Sequence, residues 1–400
     1  MNRVLYISDV PPYGESRGGA VIVYRLLKSV PANQLVVLET NYFKKDVDYN
    51  SNYPLPGVKY LNIGYPLIRL RNTRLTQLYS ICIIKFRGCF YKKLEKIIRD
   101  YNITKIITVS HGYMYYIATG LAQKKNIRCF AIHHDLYSKT INIYKDSFVL
   151  NIRSLFANAY KHNTINFCIS PFMQTAYDKI FSGNSVVLYP NRDIDAFVNY
   201  NKEHSMSLSK SRNELTFAYV GTITSKSVLT LIESFSNHIG QFGHKLKLLS
   251  NVNSEILKSL QLKYNNLTIS PWIASDQLLE YLCCSTDVLL LLQDNEPESI
   301  DAISINFPSK LTDYTQTGLP ILIIGPKLGS AYKFGKLNDQ AFWTISADGI
   351  IDFDKFNQIF AEMRDYKNRV NMGIEASLIG ERIFSFSNIL ENFLKPILTI

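Results

Sequence analysis

No stretch of this 400-residue chain stays apolar for the ~20 residues that a membrane-spanning helix needs. Low-complexity runs and repeats of solenoid period are also missing, which argues for a globular chain throughout. The first residues, MNRVLYISDV, carry too short an apolar run for a signal peptide and read as a first strand. Cysteine is scarce: Cys82, Cys89, Cys129, Cys168, Cys283 and Cys284 fit no zinc-ligand spacing. They are expected to be reduced, buried thiols of a cytoplasmic protein. Negative charge is in short supply, with 33 Asp and Glu against 44 Lys and Arg, a formal charge of +11. Such an excess suits nucleic acid, an anionic membrane surface or phosphorylated ligands.

The length itself calls for two cores, and the hydrophobic fraction of 46% can supply them. Short apolar strands are predicted at 4–8, 34–39, 105–110, 128–133, 166–170 and 185–189, with helices between most of them. The helix after the first strand is marked by Val23, Leu26, Leu27 and Val30 at i, i+3, i+4, i+7. A polar stretch from 191 to 213 interrupts the rhythm and reads as a linker. Strands then resume at 215–221, 245–250, 266–270, 287–292 and 320–325. The βαβ alternation predicts two parallel, doubly wound α/β sheets, with ligands expected in a cleft at the carboxyl ends of the strands. A last apolar stripe, Ile389, Leu390, Phe393 and Leu394, needs a surface to pack on.

One segment carries most of the functional signal: NFPSKLTDYTQTGLPILIIGP, residues 306–326. Pro308 stiffens the entry to a helix and Ser309 is suited to cap it. Free N–H groups at a helix start attract phosphate, and Lys310 adds a full positive charge. Asp313 follows one turn later on the same face, placed to accept hydrogen bonds from ribose hydroxyls.

With four other motifs in order along the chain, this segment resembles the GT-B-fold retaining glycosyltransferases of family 4. Gly18-Gly19 resembles the glycine-rich N-terminal loop of that family. His134-Asp135, ending RCFAIH, resembles its His-Asp pair. CISPFMQTAYDKIF followed by VVLYPNRDIDAF resembles the crossing between domains. YVGTITSKSVLTLIESF resembles the strand and loop that carry a diphosphate-binding lysine, here Lys226. FPSKLTDY with Gly318-Leu319-Pro320 resembles the variant donor helix, and FSFSNILENFL the closing helix.

The resemblance implies an acceptor-binding Rossmann-like domain over 1–190, a nucleotide-sugar-binding one over 191–380, and a helix within 381–400 packing back on the first. It implies transfer of a sugar from a nucleoside diphosphate donor, UDP or GDP, to a glycan or lipid-linked acceptor of surface polysaccharide synthesis, with no cofactor and no metal. His134, Lys226 and Lys310 take the catalytic roles. Donor contacts fall to Gly18, Gly19, Gly221, Thr222, Trp272, Ile273, Pro308, Ser309, Lys310 and Asp313. His111, His133 and Asp135 fall to the acceptor. Two departures stand out: Thr222 replaces an arginine common in the family, and Ile305 replaces the first of two glutamates.

The positive charge gathers at 59–99, where ten Lys and Arg face only Glu95 among Leu, Ile, Phe and Tyr. That mixture suits the inner face of an anionic membrane. It also suits a core helix with a solvated basic face. No nucleic-acid-binding module appears. A degenerate member that binds nucleotide sugars without turnover is the non-enzymatic alternative. A nucleotide-sugar epimerase is a second enzymatic one, against which the Pro-Ser-Lys helix argues.

Overall fold

The computed structural model describes residues 3–14, 18–40, 55–62, 81–139, 151–193, 214–223, 225–250, 254–270, 273 and 275–399. The chain folds as two compact units, residues 1–194 with 386–400, and 195–385.

The first unit is a seven-stranded sheet made of β1 (Arg3–Ile7), β2 (Leu35–Glu39), β3 (Lys59–Asn62), β4 (Ile103–Val109), β5 (Arg128–His133), β6 (Ile165–Cys168) and β7 (Ser185–Val187). Every pairing is parallel, in the order β3-β2-β1-β4-β5-β6-β7. The described helices of this sheet are α1 (Gly18–Lys28), α2 (Gly88–Asp100), α3 (Met114–Lys125), α4 (Ile152–His162) and α5 (Pro171–Asp178). Order reverses between β1 and β4, which makes the carboxyl ends of these two strands the switch point.

The second unit repeats the plan with β8 (Thr216–Val220), β9 (Lys245–Leu249), β10 (Leu267–Ser270), β11 (Val288–Leu292), β12 (Ile321–Gly325) and β13 (Phe342–Ser346), in the order β10-β9-β8-β11-β12-β13. Its helices are α6 (Lys226–Gly240), α7 (Ser254–Lys263), α8 (Ser275–Ser285), the short α9 (Ile300–Ile303) and α10 (Ser309–Tyr314), α11 (Ser330–Leu337), α12 (Phe353–Arg364) and α13 (Tyr366–Phe384). Its switch point lies between β8 and β11. β11 and β12, VLLLL and ILIIG, are buried at every position, as parallel strands covered on both faces must be. Each such side chain contributes about 1.5–3 kcal/mol by leaving water.

Two strands were not predicted. β3 is an edge strand without a fully buried residue, so its apolar signal is weak. β13, FWTIS, carries a strong one, with Phe342, Trp343 and Ile345 buried.

The chain end returns to the first unit as helical turns at Phe386–Ile389 and Lys395–Thr399 around a π-helical turn, Leu390–Leu394. Its buried face is Ile389, Phe393 and Ile397, whereas Leu390 points outward at 40% exposed. The Phe393 ring meets Phe167 of β6 at 5.3 Å, and Lys105 of β4 donates to the carbonyls of Ile397 and Leu398.

All six cysteines are free, but only Cys129, Cys168 and Cys283 are buried; Cys82, Cys89 and Cys284 are exposed. Among the described residues no helix is long and apolar enough to cross a membrane. Of the basic segment, residues 63–80 lie outside the described ones. In α2 the apolar side, Tyr91, Leu94 and Ile97, is taken up by the core, and Lys92, Lys93, Lys96 and Arg99 face solvent. Glu95 pairs with Lys124 and Lys125 of α3 at 3.0 and 3.3 Å.

A backbone contact in the second unit tolerates no added atom. Gly373 of α13 lies so close to the turn before β12 that a Cβ would sit 1.9 Å from the Gly318 carbonyl oxygen. Backbone cannot yield as a side-chain tip can. Gly373→Ala is therefore expected to destabilise the protein by about 3 kcal/mol in urea unfolding. Gly88→Ala, where a Cβ meets nothing within 4 Å, is expected to change stability little.

Candidate functional site

At the switch point of the second unit, Lys310 reaches across to the end of β8. Its ammonium stands 4.5 Å from the centre of the Tyr219 ring and donates to the Tyr219 hydroxyl at 3.2 Å. That hydroxyl in turn donates to the Thr222 carbonyl at 3.2 Å. Gly221 makes the approach possible: a Cβ there would lie 2.2 Å from both Cε and Nζ of Lys310. Its φ of +126° is also one that other residues rarely adopt. Tyr314, four residues after Lys310, fixes α10 in place. Its buried hydroxyl accepts from the Val220 N–H at 3.0 Å and donates to the Leu290 carbonyl at 3.3 Å, bridging β8 and β11. Burial pushes the Lys310 pKa down to about 8.

The helix start differs from expectation. Ser309 is the first residue of α10, not its cap; Pro308 holds the cap position, and no side-chain hydrogen bond closes it. α10 is only six residues long, so its dipole is small and the positive potential comes from the Lys310 charge. Asp313 is half-buried on the same helix and accepts from Gln316 at 3.4 Å. Ile305 is buried, 7% exposed.

Lys226 is not part of the Lys310–Tyr219–Gly221 contacts. It is the exposed first residue of α6, where the Ser227 and Val228 amides are already engaged. Ser225 accepts from the Val228 N–H at 3.2 Å, and the Glu296 carboxylate accepts from the Ser227 N–H at 3.2 Å. The Ser227 hydroxyl donates to Asp294. Burial pushes the Asp294 carboxyl up, but hydrogen bonds led by that of Ser227 outweigh it and hold the group below the usual range. Phosphate at this helix start would meet two carboxylates. Ile273 is half-buried, and Trp272 lies outside the described residues.

In the first unit, Gly18 and Gly19 open α1. A Cβ on Gly19 would stand 3.0 Å from His134 Cε1, so glycine lets the imidazole lie against the helix start. His134 is 8% exposed, with Nε2 3.3 Å from Asp135 Oδ2. His111, from the turn after β4, brings Nδ1 to 4.0 Å from the same oxygen. Three ligand atoms of His111, His134 and Asp135 thus lie within 4.8 Å of one another, a set that could hold a metal ion.

His133 is a core residue, contrary to its assignment to the acceptor. It is fully buried among Tyr115, Phe156, Tyr160 and Tyr177, with Nε2 3.0 Å from Asn166 Oδ1. Burial lowers its pKa to about 4, so it stays neutral.

Asp-x-Asp, a spacing that would suit a metal-dependent transferase, occurs at Asp46, Asp193 and Asp352. At the third, the Asp352 carboxylate accepts from the Lys355 N–H at 2.9 Å and caps α12.

No protein-family model and no curated protein sequence matches the chain. Solved structures do. A sucrose-phosphate synthase from Thermosynechococcus elongatus matches with a TM-score of 0.66 at 12% identity, over 100% of this chain and 99% of that one. HepE from Anabaena in complex with UDP-glucose matches at 0.63 and 13%, over 100% of both chains. A glycosyltransferase from Rickettsia africae matches at 0.64 and 15%, over 100% and 98%.

The fold is GT-B. At these identities the likeness establishes architecture alone, and the chemistry has to be argued from the residues.

Lys310 supplies a test that needs no ligand. A cation held away from water costs stability wherever it must stay charged. The folded state keeps a proton on Lys310 up to pH about 8, whereas the unfolded chain keeps it to about 10.5. The cost is therefore full below pH 8 and fades between 8 and 10.5. Lys310→Met is expected to raise stability at pH 7 by about 1–3 kcal/mol, with the gain shrinking by pH 10 in denaturant titrations.

Proposed function

We propose that this protein is a retaining glycosyltransferase that moves a sugar from a nucleoside diphosphate donor to a glycan or lipid-linked acceptor. The observation that carries the proposal is the Lys310 ammonium set against the Gly221 turn at the switch point of the second sheet. A diphosphate there would gain a full positive charge, and the Tyr219 ring and hydroxyl hold that charge ready. Similarity to HepE in complex with UDP-glucose supports a UDP-sugar as the first donor to try.

In the reaction the bond from the anomeric carbon to the diphosphate oxygen breaks and a bond to the acceptor oxygen forms on the same face. The departing phosphate takes the acceptor proton, so no protein base is needed. Lys310 stabilises the negative charge that grows on the leaving group, and Asp313 is assigned to the ribose. Gly221 and Thr222 supply backbone beside the phosphates, and Pro308 and Ser309 the α10 start. Lys226 keeps a donor role only through its flexible side chain. In the first unit, His134 is assigned to the sugar, with Gly18 and Gly19 leaving room beside it, and His111 and Asp135 to the acceptor. The reaction as written draws on no metal. Surface polysaccharide synthesis remains the role the family resemblance suggests. The solvent-facing lysines of α2 favour an acidic membrane surface beside the acceptor.

A second reading, binding without turnover, is favoured by Glu296 and Asp294 occupying the α6 start. Calorimetry and a turnover assay against UDP-, GDP-, ADP- and CMP-sugars separate the two. One nucleotide class is expected to bind, with Lys310→Ala weakening it about 10- to 100-fold and Asp313→Ala about tenfold. Affinity is expected to fall by about tenfold per pH unit above about 8, where Lys310 must take up a proton to hold phosphate. Slow donor hydrolysis without acceptor supports the transferase. Tight binding with neither hydrolysis nor transfer supports the second reading, and no binding of any nucleotide contradicts both.

A further inference from the structure

Asp9 follows β1 at the switch point of the first unit, and the proposed reaction leaves it unused. It is 1% exposed, and a carboxylate is seldom found so deep without a partner. Its backbone partners come from the turn after β4, and the Thr40 side chain, following β2, bonds to it as well. The Met114 N–H donates to Oδ2 at 3.0 Å, and the Tyr113 amide bonds to the same carboxylate. These amides open α3, a 12-residue helix whose own cap residue, Tyr113, makes no side-chain capping bond. Asp9 therefore caps α3 from another strand, 105 residues away in sequence.

Gly112 completes the interlock. Its φ is +69°, and a Cβ there would lie 2.2 Å from Asp9 Oδ2, so any larger residue would lift the turn off the carboxylate. His111 directly precedes this glycine. The turn carries its Nδ1 to 4.0 Å from Asp135 Oδ2 and its ring to 6.1 Å from that of His134.

We propose that Asp9 is the positioning residue of His111: by capping α3 from the end of β1, its carboxylate fixes the turn that sets His111 opposite Asp135 and His134. The consequence for acceptor binding rests on the transferase reading; the geometry does not. Burial pushes the Asp9 carboxyl up to about 7, against the pull of the Met114 and Tyr113 amides and the Thr40 side chain.

The test is histidine-selective ¹³C NMR on the full-length protein, with the His111 signal among the seven histidines assigned through His111→Gln. His162 in α4 and His238 in α6 report that both units stay folded. In Asp9→Ala the His111 signal is expected to move, as its place relative to Asp135 and His134 changes. His162 and His238 are expected to stay in place. Asp9→Asn retains an oxygen for the Met114 N–H and is expected to leave His111 near its original position. Gly112→Ala keeps the carboxylate but forces the turn away, and is expected to act as Asp9→Ala does. An unmoved His111 in folded Asp9→Ala overturns the proposal, as does an equal shift in Asp9→Asn and Asp9→Ala. Should Asp9→Ala not fold, Gly112→Ala decides on the same terms. No donor or turnover enters the readout, so failure of the transferase reading leaves this result standing.

Discussion

A lysine ammonium packed against an aromatic face, with no described carboxylate paired to it, is the feature around which the second unit is arranged. Attraction to the Tyr219 ring and one hydroxyl compensates only in part for the water that Lys310 gives up, so burial lowers its pKa. Such a residue is poorly explained as a contribution to stability. The proposed function accounts for it as one half of an ion pair whose other half arrives with the donor diphosphate.

Much of the local structure serves that one contact. Gly221 removes the side chain that would block it. Tyr314 ties α10 to β8 and β11 at once, so the lysine and the turn it lies on are held by the same phenol. Since α10 is too short to contribute much dipole and Pro308 caps nothing, these ties do the positioning that a longer helix would do elsewhere. In the first unit a buried carboxylate has the comparable task. Asp9 holds the α3 start, and with it the turn that carries His111.

The sheets were legible because β11 and β12 are apolar at every position and because helices separate the strands. β3 was not, since an edge strand buries too little to show a pattern. The Pro308-Ser309-Lys310 segment was legible as a helix start carrying a charged lysine, but its details were not. Whether a serine caps a helix or begins it depends on backbone angles that sequence does not fix. Tyr219 was missed because it reads as one more apolar residue of β8; only the fold brings Lys310 over it. His133 and His134 show the same limit. Adjacent residues at a strand end point to opposite sides, so one enters an aromatic core and the other lies against Gly19. Lys226 opens α6, but the carboxylates of Asp294 and Glu296 that meet this helix start come from the segment after β11, which only the fold brings there.

The most direct test of the central claim is proton uptake on nucleotide binding. Calorimetry of UDP, GDP and ADP near pH 9, in buffers of different ionisation enthalpy, reads how many protons the complex takes up. Lys310 is largely neutral at that pH when free and must be charged to hold a diphosphate. The account predicts uptake of close to one proton, lost in Lys310→Met. Binding with no uptake, or uptake unchanged in Lys310→Met, would contradict it.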